Sequence, residues 1–271
     1  MSYTEFDSSI SSGQTARLYQ IDRSATKVWR YTSADRPIFF NGHEFAPLAI
    51  GDDGVRITGE ASAETLVISL PASAPVAQLY RGTPPAEEIF VTVFDYDAGA
   101  QDGEVCWIGS ISGVIWPELG KAELSCDSLS ASMRRDGLRL RYERACPHSV
   151  YDSECGVDKA LHALPVVITG LDGASVQFDP AAIPDARVYV YGALEWTADG
   201  ATELRGIEAT TAGQVTLIGG TFGLAVGQQV TLYPGCDGVR GTCDFRFGNL
   251  LNHGGFPHMP GKSIFSGERL W

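Results

Sequence analysis

The chain has 271 residues, with 20 Lys and Arg against 33 Asp and Glu, for a net charge of −13. That acidity argues against a sequence-independent nucleic-acid binder, which needs clustered cations to displace counterions, and against docking on an anionic membrane surface. Hydrophobic content of 44% and aromatic content of 10% suit a folded globular protein, and no run approaches the ~18 apolar residues of a membrane span.

The first residues, "MSYTEFDSSISSG", lack the basic and apolar parts of a signal peptide. The expectation is a chain made and folded in the cytoplasm, where thiols stay reduced. Short runs rich in Val, Ile, Tyr, Phe and Thr follow, bounded by turn residues. "TARLYQI", "TKVWRYT", "GVRITGE", "ETLVISL", "IFVTVFDYD", "EVCWIGSISGVIW" and "KAELSCDSL" read as strands. "RPIFFNGHEFAPL" reads as a hairpin turning at Asn41-Gly42, and "PASAPVAQLYRG" as one short helix. Residues from about 14 to about 128 are therefore expected to form an antiparallel β domain.

Between 128 and 160 the strand pattern stops, and an irregular segment with a helical turn near Leu129–Arg135 is expected. A second β region follows at 165–235: "PVVITGL", "ASVQFDP", "RVYVYGALEW", "ELRGIEAT", "QVTLIGG" and "QQVTLYPG". Its regular turn signals suggest a small barrel or sandwich. It lies between two cysteine pairs and so reads as an insertion. The expected fold is mainly β. An N-terminal β domain spans 1–139, and a cysteine-rich C-terminal domain spans 140–271 with the β module inserted at 164–233.

Six cysteines divide by context. Alternation places Ala122, Leu124 and Cys126 on one strand face, and Cys106 sits in an apolar strand, so both thiols read as small buried hydrophobes. Cys146, Cys155, Cys236 and Cys243 instead stand among Pro147, Gly156, Gly235, Gly241 and charged residues, in what reads as loop. Four thiolates from two loops can hold a tetrahedral metal or a cubane iron–sulfur cluster. The wide spacings, C-x8-C and C-x6-C, suit a larger object than the C-x2-C knuckles of zinc ribbons. A zinc site that adds His148, His253 or His258, and cysteines left reduced or disulfide-bonded, remain alternatives. Asp95 and Asp97 of "FDYD" could bind calcium, although an exposed strand face is the simpler reading. No P-loop, dinucleotide fingerprint, HExxH or GxSxG is present.

The cysteine arrangement followed by "FRFGNLLNHGGFPHMPG" resembles the baseplate hub, or tail tip, proteins of long-tailed phages and gene transfer agents. The phage BR0599 group and minor tail protein L of lambda-like phages are the nearest in kind. The resemblance rests on residues 140–261. It implies a structural virion protein and not an enzyme, assembled in the host cytoplasm and located at the tail tip. It further implies a homotrimeric ring between the distal tail protein ring and a central tip or fibre protein, with a cell-wall peptidase as a further neighbour. DNA would pass through the lumen without specific binding, and acidity would keep that lumen from sticking to it. There would be no membrane insertion. Position by position, the resemblance makes Cys146, Cys155, Cys236 and Cys243 the ligands of a structural [4Fe-4S] cluster. Arg246, Phe247, Asn249, Gly254, Gly255, Phe256 and Pro257 would form the loop that braces and shields it, with Phe256 packed over it. A zinc-stabilised receptor- or glycan-binding tail module, or a redox module, is the alternative function.

Overall fold

The structure, a computed structural model, describes residues 15–25, 27–56, 65–132, 142–183 and 185–259. The chain divides into two compact units, one of residues 1–135 with 197–203, the other of 136–196 with 204–271. The strand expected at "GVRITGE" and the end of the helical turn expected to reach Arg135 lie largely outside the described residues.

The first unit holds a nine-stranded sheet. Its strands are β1 (Thr15–Asp22), β2 (Val28–Thr32), β3 (Ile38–Phe40), β4 (His43–Pro47), β5 (Gly51–Asp52), β6 (Leu66–Pro71), β7 (Phe90–Asp97), β8 (Asp102–Glu118) and β9 (Lys121–Ser128). They lie in the order β3-β4-β2-β1-β7-β8-β9-β6-β5. Every neighbouring pair is antiparallel except β2 and β4, which run parallel at Tyr31↔Ala46 and Thr32↔Pro47. The β3–β4 hairpin turns where expected, with Asn41 at φ 50° and Gly42 at φ 77°, the left-handed pair that matches the twist of a two-residue hairpin.

Period-two alternation decides what the sheet buries. Ala122, Leu124 and Cys126 on β9, Ile68 on β6, Val91 and Val93 on β7 and Tyr19 and Ile21 on β1 are all wholly buried in one core. The short helix α1 (Pro75–Leu79) closes that core with Val76 and Ala77. It starts at a proline, whose missing N–H costs nothing in a first turn. Among the described residues, the opposite face is covered at one end only: Leu18 and Tyr96 pack there against Ile38, Phe40 and Phe45, with Phe40 edge-on to Phe94 at 5.5 Å. The four-residue helix α2 (Leu129–Ser132) follows β9.

Two expectations are corrected in this unit. Asp97 is wholly buried rather than part of an exposed face. Its Oδ1 accepts the N–H groups of Gly99 (2.7 Å) and Ala100 (3.1 Å), an Asx turn that shapes the β7–β8 connection, while Asp95 pairs with Arg17 at 3.1 Å. Cys106 is half-buried, and Arg17 Nη1 donates to its Sγ at 2.6 Å. Burial pushes this thiol up to about 11, with Arg17 opposing.

The second unit contains β10 (Leu164–Val167), β11 (Gly170–Asp172), β12 (Ser175–Gln177), β13 (Ala193–Ala198), β14 (Ala201–Thr211), β15 (Gln214–Leu217) and β16 (Gln229–Tyr233). Their order is β10-β16-β13-β14-β15-β12-β11. β10 and β11 stand at opposite ends of that order, yet only Ile168 and Thr169 separate them. The sheet therefore closes on itself as a barrel of six strands, with β10 and β11 counted as one bent strand. Val166, Ile168, Val176, Leu194, Trp196, Ile207, Val215, Leu217, Val230 and Leu232 are buried along it. The tip of the β13–β14 hairpin, 197–203, groups with the first unit. There Arg23 Nη2 donates to Glu203 at 2.6 Å, and the Ala86 N–H to the other Glu203 oxygen at 3.1 Å. "RVYVY", expected as strand, is instead a 3-10 turn over Ala186–Tyr189. Asp185 caps it by accepting the Arg187 N–H, and Tyr191 at φ 61° breaks the extended run. This local side-chain capping overrides the β propensity of Val and Tyr.

Candidate metal centre

Each of the four singled-out cysteines sits on a short segment whose shape is set by an aspartate or a glycine. In the first segment Asp152 accepts the N–H of Ser149 (2.9 Å) and of Cys155 (2.6 Å). That folds the stretch between Cys146 and Cys155 into a compact turn, with Tyr151 at φ 70°. In the second, Asp237 accepts the Val239 N–H (2.9 Å) and the Thr242 hydroxyl (3.0 Å), which starts helix α3 (Arg240–Phe247). Cys243 lies buried on that helix, where sequence reading expected loop. Low apolar content and flanking glycines hide an eight-residue helix from periodicity alone. Gly248 ends it at φ 60°, a conformation that costs glycine little.

The segments are laced together. Cys146 N–H donates to Gly238 O at 2.8 Å, and the Tyr151 hydroxyl to Pro234 O at 2.8 Å. Asn249 is the hinge of the arrangement. Its side chain donates to Cys155 O at 2.6 Å and reaches Cys155 Sγ at 3.7 Å, while its N–H donates to Cys243 O at 3.1 Å and its O accepts from Cys243 Sγ at 3.3 Å. A third segment closes over Cys146: the Gly254 N–H donates to Cys146 Sγ at 3.4 Å. A Cβ at Gly254 would clash with Nε2 of the His148 ring, and one at Gly255 would come within 2.6 Å of Arg144 O. Only glycine allows that close approach.

The remaining expected residues occupy defined places. The Arg246 guanidinium donates to Val188 O at 3.1 Å and to Gly235 O, tying α3 to the segment that leaves the barrel. Phe247 meets Tyr151 edge-on at 6.0 Å and His162 at 5.1 Å. The Phe256 N–H donates to Glu143 O at 2.9 Å, and its half-exposed ring lies 5.0 Å from Tyr142. Pro257 is exposed. Sequence reading missed Tyr151 and Asp152. "YDSEC" held the signal, an Asp three residues before a cysteine in turn-rich sequence.

No cysteine is in a disulfide. Burial raises the Cys243 and Cys236 thiols, and the neighbouring thiolates raise them further: Cys146 and Cys155 act on both, and Cys236 acts on Cys243. Cys236 and Cys243 thus lie within electrostatic reach of each other and of both Cys146 and Cys155. Among the described residues, no three His, Cys, Asp or Glu side chains are gathered tightly enough to hold a single metal ion.

A family model described as "Baseplate hub protein, N-terminal attachment domain" matches residues 4–158, more than half of the chain. The chain belongs to this baseplate hub family. A second model, "Phage conserved hypothetical protein BR0599", matches residues 187–263, a span that includes Cys236, Cys243 and the third segment. A solved chain from "Virion of native gene transfer agent (GTA) particle" has the same fold, with a TM-score of 0.76 over 94% of each chain at 22% identity. No match was found among curated protein sequences. Membership makes the hub protein a structural component of a phage-type particle, located at the baseplate or tail tip of the virion. Among the described residues, no helix is long and apolar enough to cross a membrane.

Proposed function

We propose that this hub protein works as a homotrimeric ring between the distal tail protein and a central tip or fibre protein, its C-terminal unit stapled by a [4Fe-4S] cluster on Cys146, Cys155, Cys236 and Cys243. One observation carries the cluster: of four free thiols on two segments, Cys236 and Cys243 of one lie within electrostatic reach of Cys146 and Cys155 of the other, and the latter two face N–H donors. Gly254 and Asn249 supply those donors, the outer hydrogen bonds that orient thiolate ligands. A mononuclear zinc site draws four sulfurs to ~2.3 Å from one ion. The wide C-x8-C and C-x6-C spacings favour a larger, four-cornered group. When bound, that group supplies covalent cross-links where apolar packing is thin, and so contributes to folding directly. The ring and its neighbours rest on the family and on the resemblance.

Anaerobic purification with iron and acid-labile sulfide measured beside an absorption spectrum tests the cluster. About four irons and four sulfides per chain, with broad absorbance near ~400 nm, is the expected result. Zinc without sulfide, or neither, refutes it. Native mass spectrometry tests the trimer, and a monomer at particle-like concentrations refutes that part alone.

A further inference from the structure

Among the described residues, the outer face of the nine-stranded sheet is covered at one end and open at the other. Phe40 and Phe45 cover it around Leu18 and Phe94. Toward the other end, strand register lays one row straight across four strands: Asp22 on β1, Phe90 on β7, Ser110 on β8 and Asp127 on β9. Two adjoining hollows of about 640 and 490 Å³ follow this row and share Glu88 and Phe90 in their walls. Glu87 and Arg23 line the first hollow, Leu129 the second. Phe90 and Leu129 are exposed there, as is Ile108 on the same face.

Charge in this groove is one-sided. Among the described residues, no cation pairs with Asp22, Glu87, Glu88 or Asp127. Arg30, on the neighbouring strand, is engaged by Gln20 at 3.1 Å. Arg23, more than nine-tenths buried, is held by Glu203 through Nη2, while its Nη1, also buried, has no hydrogen-bond acceptor among the described residues and stands 3.8 Å from Asp199. Two acidic ends and an apolar middle describe a seat for a chain of opposite charge.

We infer that this groove docks an extended segment of a neighbouring tail protein, with Lys or Arg at two positions four residues apart and an apolar residue midway. The spacing follows from the row. Asp22 and Asp127 are three strand separations apart, about 14 Å, and four residues of extended chain span about 13 Å. The two basic side chains then reach the two aspartates, while the central apolar side chain shares their face and meets Phe90. The inference rests on this unit being the attachment domain of a hub, and it specifies the chemistry of what attaches.

The test uses the full chain and a labelled peptide, Ser-Arg-Ser-Leu-Ser-Arg-Ser, with Ser-Glu-Ser-Leu-Ser-Glu-Ser beside it, read by fluorescence anisotropy at two salt concentrations. Only the arginine peptide should bind, more weakly at higher salt because exposed charge pairs are screened. Asp22→Asn with Asp127→Asn should weaken binding at least tenfold. Asp35→Asn with Glu44→Gln, an equal charge change elsewhere on the unit, should not. Equal loss in both variants would reduce the effect to net charge and overturn the inference. So would a change in oligomeric state in the Asp22/Asp127 variant, which would make the groove an interface between copies. Phe90→Ser should weaken binding with charge intact, and unchanged binding would remove the apolar anchor. None of these readouts depends on iron, so their failure is separate from failure of the cluster.

Discussion

Tyr19, Ile21, Leu66, Ile68, Val91 and Leu124 are wholly buried in the first unit, and its sheet would hold together on apolar packing alone. In the segments that carry the four cysteines, 142–163 and 234–259, only Gly235 and Cys243 are buried. Those segments are shaped by Asx turns, left-handed residues and side-chain bonds to backbone, each worth about 1 kcal/mol net. A sheet of this kind tolerates the loss of one contact. A thinly packed set of loops needs a device of another sort, and the cluster proposed on the four thiols among them would supply it. The contrast also explains why two cysteines of the same chain, Cys106 and Cys126, sit in strands with no part in that device.

The contrast can be broken most forcefully at a ligand. Cys155→Ser should abolish iron and sulfide binding and open 142–163 and 234–259 to proteolysis while leaving the nine-stranded sheet folded. Unchanged iron content in this variant would sink the assignment of Cys155. The converse change, Leu124→Ala, should cost about 2–5 kcal/mol by leaving a cavity in the core, seen as a lower denaturation midpoint with iron per folded chain unchanged. Gly254→Ala should cost about 1–3 kcal/mol through overpacking against His148 and hasten loss of iron in air, read from the decay of visible absorbance. A finer test is alkaline. Burial pushes the Cys126 thiol up to about 12, from an ordinary value of 9.0. The unfolded chain therefore releases this proton first as pH rises, so the stability the neutral thiol contributes is whole below about 9 and is lost between about 9 and 12. Cys126→Ala should flatten that part of the pH–stability curve. Smallest of all, Gly42→Ala, at φ 77° with open space around it, should cost about 1 kcal/mol in hairpin strain and change nothing else.

Legibility in the sequence followed the same divide. Strands with one wet face alternate cleanly, and so β1, β6, β7 and β9 lay within a residue or two of their expected places, as did the Asn41-Gly42 turn. The parallel β2–β4 pair was invisible, because partner choice is not a local property. Helix α3 was hidden because its residues, "RGTCDFRF", carry no apolar stripe and it is held by capping and by Asn249. Asp97 looked exposed because alternation tells which face a residue takes, not whether a loop folds over that face. The four cysteines stood apart from Cys106 and Cys126 through their loop-like context. Their lacing through Asn249, Asp152 and Tyr151 was not, since each of those bonds joins residues that only the fold brings together.

The strands that begin and end the barrel, β10 and β16, lie side by side, with Leu164 opposite Leu232. Tension along the chain would pull on both strands from the same end and peel their hydrogen bonds apart one at a time, like a zipper, the weakest way to load a sheet. Cys155 precedes this zipper and Cys236 follows it. A shared cluster on those two thiols would shunt the force past the barrel, so that the particle's tip could be tugged without its β module being unravelled.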